Sequence, residues 1–113
     1  MNTIYVRAGD TDPLEITISA TGLTSLTNLT TAVLFLRKQG ETENHVDGAE
    51  LTVEDSDGLA LSFDPAGAGP SGVDALTEVG TYAGYVLCTW ADGDYTRHPG
   101  RRELTVVVRE NYE

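Results

Sequence analysis

A reaction centre in this chain would have to be assembled from one cysteine, two histidines and eighteen carboxylates, set among seven basic residues. A catalytic thiolate needs a histidine partner and a cationic setting. Cys88 instead lies in the apolar run 85–90, and neither His45 nor His98 falls in a pairing motif. It reads as a buried, inert thiol, and a single cysteine rules out an internal disulfide. No nucleophile elbow is present. The glycine-rich stretch 65–72 lacks the lysine and the strand-to-helix setting of a phosphate loop. With eighteen acids in the chain, carboxylate pairs of the kind glycosidases use arise by chance and carry no weight. The chain is therefore read as having no catalytic residues, and it is not expected to be an enzyme.

The acids do invite a calcium reading. Glu54, Asp55 and Asp57 precede Gly58, and Asp92 and Asp94 flank Gly93. Calcium takes about six to eight oxygens drawn from several such groups, so these two runs would have to converge at one end of the fold. Neither matches an EF-hand loop, because the third acid and the closing glutamate are missing. Asp and Gly are also ordinary turn residues, and solvated hairpin turns account for both runs. No metal ligand and no cofactor is assigned. Asn28, Leu29 and Thr30 form a glycosylation triplet, which matters only in an exported protein.

Charge restricts the partners. The net charge is −11, which argues against nucleic acid, whose phosphates are held by Lys and Arg. The few basic residues cluster: Arg97, His98, Arg101 and Arg102 flank Pro99 and Gly100. They form either a patch that faces an acidic neighbour, including the acidic face of another copy in a repeating assembly, or a set of local pairs with the chain's own acids. Exposed pairs of that kind contribute about 0–1 kcal/mol each. Trp90, the only tryptophan, is expected to pack in the core. No run approaches the roughly 20 apolar residues of a membrane span. The first residues have neither the basic start nor the apolar stretch of a signal peptide, so use without export is expected.

These side chains must be held by strands. Ile4 and Val6 alternate with Thr3, Tyr5 and Arg7; after the turn at 9–13, Leu14, Ile16, Ile18 and Ala20 alternate with Glu15, Thr17 and Ser19. Period-two patterning of this kind marks half-buried strands. Residues 21–30 read as a loop whose Leu23, Leu26 and Leu29 dip into the core. The continuous run 32–36 predicts a strand buried on both faces. Val46, Ala49, Leu51 and Val53 predict a strand broken around Asp47 and Gly48, and Leu59, Leu61 and Phe63 predict another. Asp57 and Gly58 place a hairpin between them. The connector 65–72 is followed by a helical turn at 73–79, capped by Ser71 or Asp74. Residues 80–91 are the longest strand, Asp92 and Gly93 turn it back, and the return strand runs from Tyr95 to Val108 with an interruption at Pro99 and Gly100.

About seven short strands with no long helix predict a single all-β domain over 1–113, an immunoglobulin-like antiparallel sandwich, with an open barrel as the other architecture. Glu78, Gly80 and Tyr82 carry the acid-x-Gly-x-Tyr spacing of the sandwich corner. There the tyrosine hydroxyl bonds back to the nearby backbone. Gly84 stands where an antibody domain has its second cysteine, so only the architecture is matched.

The order of several segments carries a further likeness. It runs from the first strand through Gly9, Asp10 and Thr11 to the alternating 14–18, then to Asp57 and Gly58. Gly80 to Tyr82, Trp90 to Gly93, Thr96 to Pro99 and the terminal 104–108 follow. In this order the chain resembles the N-terminal domain of the upper baseplate protein of siphophages and similar short phage structural proteins. The resemblance implies an immunoglobulin-like sandwich that attaches to neighbouring subunits in a virion. The chain stops just after its last strand, so it is expected to be the attachment domain alone, and a head-decoration, neck or tail accessory role fits equally. Other virion proteins in a symmetric assembly would be its partners. Two contact regions are expected on that basis: the first strand (Thr3, Tyr5 and Arg7), by strand addition, and the patch of Arg97, His98, Arg101 and Arg102. The alternative is a ligand-binding sandwich, such as one for calcium-dependent recognition of carbohydrate at a host surface.

Overall fold

Side chains that alternate in hydropathy give a strand one face for the core and one for solvent. The computed structural model describes residues 3–9, 12–18, 24–69, 72, 74–98 and 104–110. Among them are nine strands: β1 (Thr3–Arg7), β2 (Leu14–Thr17), β3 (Leu29–Lys38), β4 (Val46–Glu50), β5 (Thr52–Asp55), β6 (Ala60–Phe63), β7 (Gly80–Trp90), β8 (Tyr95–His98) and β9 (Leu104–Arg109). They form an all-β immunoglobulin-like sandwich. One sheet has the order β1-β9-β7-β3-β4, with β8 also on β7, and the other has the order β2-β6-β5. The central β9-β7-β3 run corresponds to the G-F-C arrangement of that architecture, and β2-β6-β5 to its B-E-D arrangement.

The strand count exceeds seven for two reasons. The expected single strand over 46–53 is two strands: the irregularity expected at Asp47 and Gly48 is a bulge within β4, and the break between the two strands falls at Leu51. β4 pairs with β3, whereas β5 pairs with β6 in the opposite sheet. Leu51 is buried where the chain crosses between sheets, and its amide bonds to the Ala32 carbonyl. The return strand is likewise divided. β8 covers the Val86–Thr89 half of β7 and β9 covers the Gly80–Gly84 half, along the same edge. The sandwich is also not wholly antiparallel, because β1 runs parallel to β9.

The core lies between the sheets and holds Leu34 and Leu36 of β3, Leu61 and Phe63 of β6, Tyr82, Val86 and Cys88 of β7, and Val106 and Val108 of β9. Each large aliphatic or aromatic side chain so buried contributes about 1.5–3 kcal/mol. β3 is not buried on both faces: Ala32, Leu34 and Leu36 are buried, but Val33 and Phe35 are half-buried on the outer face. Of the loop leucines, Leu26 is buried and Leu29 half-buried, while Leu23 lies outside the described residues. The expected helical turn at 73–79 is not helix across the described residues 74–79. Ala75 and Leu76 sit in a tight turn and are both fully buried. Two consecutive inward side chains suit a loop that plugs the core, since a helix would rotate them apart. Asp74 accepts from the Gly67 amide across the loop, at 3.1 Å, and so caps no helix; Ser71 lies outside the described residues.

Gly84 has a steric role. It sits in β7 opposite Leu36 and Leu104, and a Cβ there would run into the Phe35 carbonyl oxygen. Only glycine lets β3 and β7 approach this closely. The β5–β6 hairpin also depends on a glycine. The Gly58 amide donates to Asp55 Oδ1 at 3.1 Å, and a Cβ on Gly58 would meet that carboxylate. The left-handed residue of this turn is Leu59, with φ of 57°, so the strand begins at Ala60.

Candidate functional site

The cysteine and both histidines are buried. Cys88 is fully buried, and burial pushes its thiol well above the ordinary value, to about 11, with a Thr96 hydrogen bond acting weakly the other way. It is protonated at neutral pH and out of reach of a substrate. Thr96 Oγ1 also accepts from Trp90 Nε1 at 2.6 Å and lies 2.9 Å from His98 Nε2. Half-buried Trp90 packs against the core, with its one polar atom satisfied. His45 is buried, donates from Nε2 to the Ala75 carbonyl at 2.6 Å, and lies 5.0 Å from the Tyr82 ring.

The acidic turns share one end of the sandwich. The segment 26–28 joins them, since the Leu26 amide bonds to the Ser56 carbonyl and the Ala91 amide to the Asn28 carbonyl. Two of their carboxylates face their own turns: Asp55 takes the Gly58 amide and Asp92 takes the Asp94 amide. Among the described residues no three His, Cys, Asp or Glu side chains are grouped so as to hold a metal ion.

Tyr82 is fully buried, and its hydroxyl donates to the Glu78 carbonyl at 2.9 Å. That is the backbone bond expected of the corner. Desolvation pushes the Tyr82 hydroxyl above the usual tyrosine range. Beside it, Lys38 Nζ donates to Glu78 Oε1 at 2.9 Å. This bond raises the lysine and lowers the glutamate, and both groups are at the surface.

Among the described residues two surface regions combine aromatic rings with arginines, both on the outer face of the six-stranded sheet. The first is centred on β7. The Tyr85 ring stacks on Phe35 of β3 with centroids 5.1 Å apart, and the Arg97 guanidinium of β8 lies 4.1 Å from the Tyr85 centroid. Arg37 of β3, Asn44 and the backbone of Gly84 complete a recess of about 250 Å³. The second region is the β1 edge. Tyr5 is 60% exposed, and the Arg109 guanidinium of β9 lies 4.4 Å from its ring. Thr3, Tyr5 and Arg7 all face outward by alternation. Among the described residues β1 pairs with β9 alone, and a groove of about 470 Å³ separates Tyr5 and Arg7 from Pro13 and Leu14 at the start of β2.

His98 is a correction. The sequence places it beside Arg97 in a basic patch, but it is 5% exposed and points into the core opposite Val86. Adjacent strand residues face opposite ways, so Arg97 and His98 cannot share a surface. Arg101 and Arg102 lie outside the described residues. The sequence reading missed Phe35, Arg37, Tyr85 and Arg109. Their signal was strand parity: each is out of phase with the buried positions of its strand. Which of them would be neighbours depended on strand order.

Compared with known proteins, the chain matches no family model, and no curated protein matches it in sequence.

Proposed function

We propose that this domain is a structural assembly module of a tailed bacteriophage particle, without catalytic activity of its own, which docks onto neighbouring virion subunits. The observation that carries the docking role is the pair of arginine–tyrosine contacts on the outer face of the six-stranded sheet, Arg97 on Tyr85 and Arg109 on Tyr5. Tyrosine and arginine are the side chains that most often anchor protein interfaces. An arginine already resting on a ring has surrendered part of its rotamer freedom before a partner arrives, which lowers the cost of association. The open edge of β1 adds a second mode, in which a neighbour contributes a strand. The placement in a phage particle rests on the order of sequence segments from the first strand to the terminal 104–108, which is similar to the upper-baseplate attachment domain.

Mass spectrometry and immunogold labelling of purified particles from the source lysate test this. The expected result is stoichiometric presence at one location, which also distinguishes head, neck and tail. Absence from particles would refute the virion role.

A further inference from the structure

The recess on the outer face of the six-stranded sheet has the chemistry of a carboxylate receptor. Arg37 and Arg97 reach it from strands on opposite sides of β7. Among the described residues no carboxylate pairs with either guanidinium. The acid opposite Phe35 on β4, Asp47, is held by the Asn44 amide at 3.2 Å. Two cations beside an apolar pair, on a chain of net charge −11, make a surface whose complement is acidic. The chain carries that complement elsewhere. Glu54 and Asp57 are exposed at the β5–β6 hairpin of the other sheet, while Asp55 between them is bonded into the turn.

We infer that the recess binds the Glu54 and Asp57 carboxylates of a second copy, so that copies associate head to tail. This rests on the assembly reading above and names one contact within it. Recess and hairpin belong to different sheets, so the contact is heterologous and leaves a free recess at one end of any pair and a free hairpin at the other. Arginine suits the task because its planar fork meets a carboxylate in two parallel hydrogen bonds. Mutual repulsion between copies of charge −11 keeps the contact weak in dilute solution. A scaffold that holds copies side by side raises their effective concentration and populates it.

Sedimentation equilibrium at micromolar to millimolar protein tests the proposal, with two surface variants whose fold is checked by circular dichroism. The wild-type mean mass is expected to rise with concentration, and R37E/R97E is expected to stay monomeric. E54K/D57K is the sharper variant. It reduces the net charge from −11 to −7 (two acids replaced by two lysines), so repulsion alone predicts stronger association, whereas loss of the docking carboxylates predicts a monomer. Each variant keeps one half of the contact. An equimolar mixture is therefore expected to regain association, because the recess of E54K/D57K can take the hairpin of R37E/R97E and the reversed charges of the remaining recess and hairpin are complementary too. A monomeric wild type, association that survives in either variant, or a mixture that stays monomeric would each overturn the inference. So would a wild type that stays monomeric while a hexaglutamate peptide shifts the Phe35 and Gly84 amide resonances, since the occupant would then be a different acidic protein. Particle incorporation reads out separately: a chain found in virions but monomeric in solution loses this contact and keeps the assembly role.

Discussion

Replacing Tyr82 by Phe removes one hydroxyl and leaves the ring in place. In the folded chain the hydroxyl donates to the Glu78 carbonyl at 2.9 Å, while the ring is fully buried against His45 and the core. Packing is therefore conserved, and the change isolates a single hydrogen bond between a buried donor and a carbonyl at the sheet's entry. Such a bond contributes about 1 kcal/mol net, and the orphaned carbonyl, which lies near the surface, can recover part of that from water. For a domain of this size a loss of about 1 kcal/mol lowers the melting temperature by about 3–5 °C. Urea unfolding followed by tryptophan fluorescence is the assay, with the midpoint expected to fall at an unchanged slope, because the surface exposed on unfolding is the same. Tyr5→Phe is the control: Tyr5 is 60% exposed, and the loss of its hydroxyl should leave the midpoint where it was. A second readout follows from burial. The Tyr82 hydroxyl is held above the usual tyrosine range. As pH rises past that range, the unfolded chain gives up this proton while the folded chain keeps it, so the unfolded state binds fewer protons and stability falls. Tyr82→Phe should remove that contribution and flatten the alkaline limb. A variant with an unchanged midpoint and an unchanged alkaline limb would refute the corner as a stabilising device.

Further outcomes are expected at Cys88, Gly84 and Gly93. Cys88, pushed up by burial to about 11, is neutral in both states below about pH 9; between about 9 and 11 the unfolded thiol ionises and the folded one does not. Stability should therefore decline across that window, less steeply in Cys88→Ala, and a thiol reagent at neutral pH should label the chain only as fast as it unfolds. Rapid labelling of folded protein would contradict the burial. Gly84→Ala should cost about 1–3 kcal/mol or prevent folding, because the added Cβ would run into the Phe35 carbonyl oxygen and push β3 away from β7. Gly93→Ala, at an open hairpin position with φ of 90°, should cost only the smaller strain of a left-handed alanine, about 1 kcal/mol, as read by thermal melts.

Much of this architecture is local and is written in neighbouring residues. The alternation of Leu14 and Ile16 with Glu15 and Thr17 orients β2 without reference to any other strand. The Asp92–Gly93 pair turns β7 back on itself at a left-handed glycine that L side chains disfavour. The spacing of Glu78, Gly80 and Tyr82 places a hydroxyl within reach of a carbonyl only four residues away. Period-two patterning also contains the outward orientation of Arg97 and the inward one of His98, although their proximity in sequence suggested one basic patch. The break between β4 and β5 was not legible. Ala49, Leu51 and Val53 keep the same period-two spacing whether the strand continues or crosses to the other sheet, so the pattern does not mark the crossing.

The sequence by itself determined a β-rich domain, the positions of its turns, and which face of each strand turns away from water, because these follow from steric and hydropathic preferences over two to four residues. Only the tertiary structure decided the neighbours. Strand order brings Arg37 and Arg97 to opposite sides of β7, sets Phe35 on Tyr85, lays β1 parallel to β9 at an open edge, and puts the acidic β5–β6 hairpin on the other sheet. Pairing between strands far apart in the chain is chosen by the whole set of core contacts and loop closures at once, so a surface assembled from several strands exists only when the sheet does.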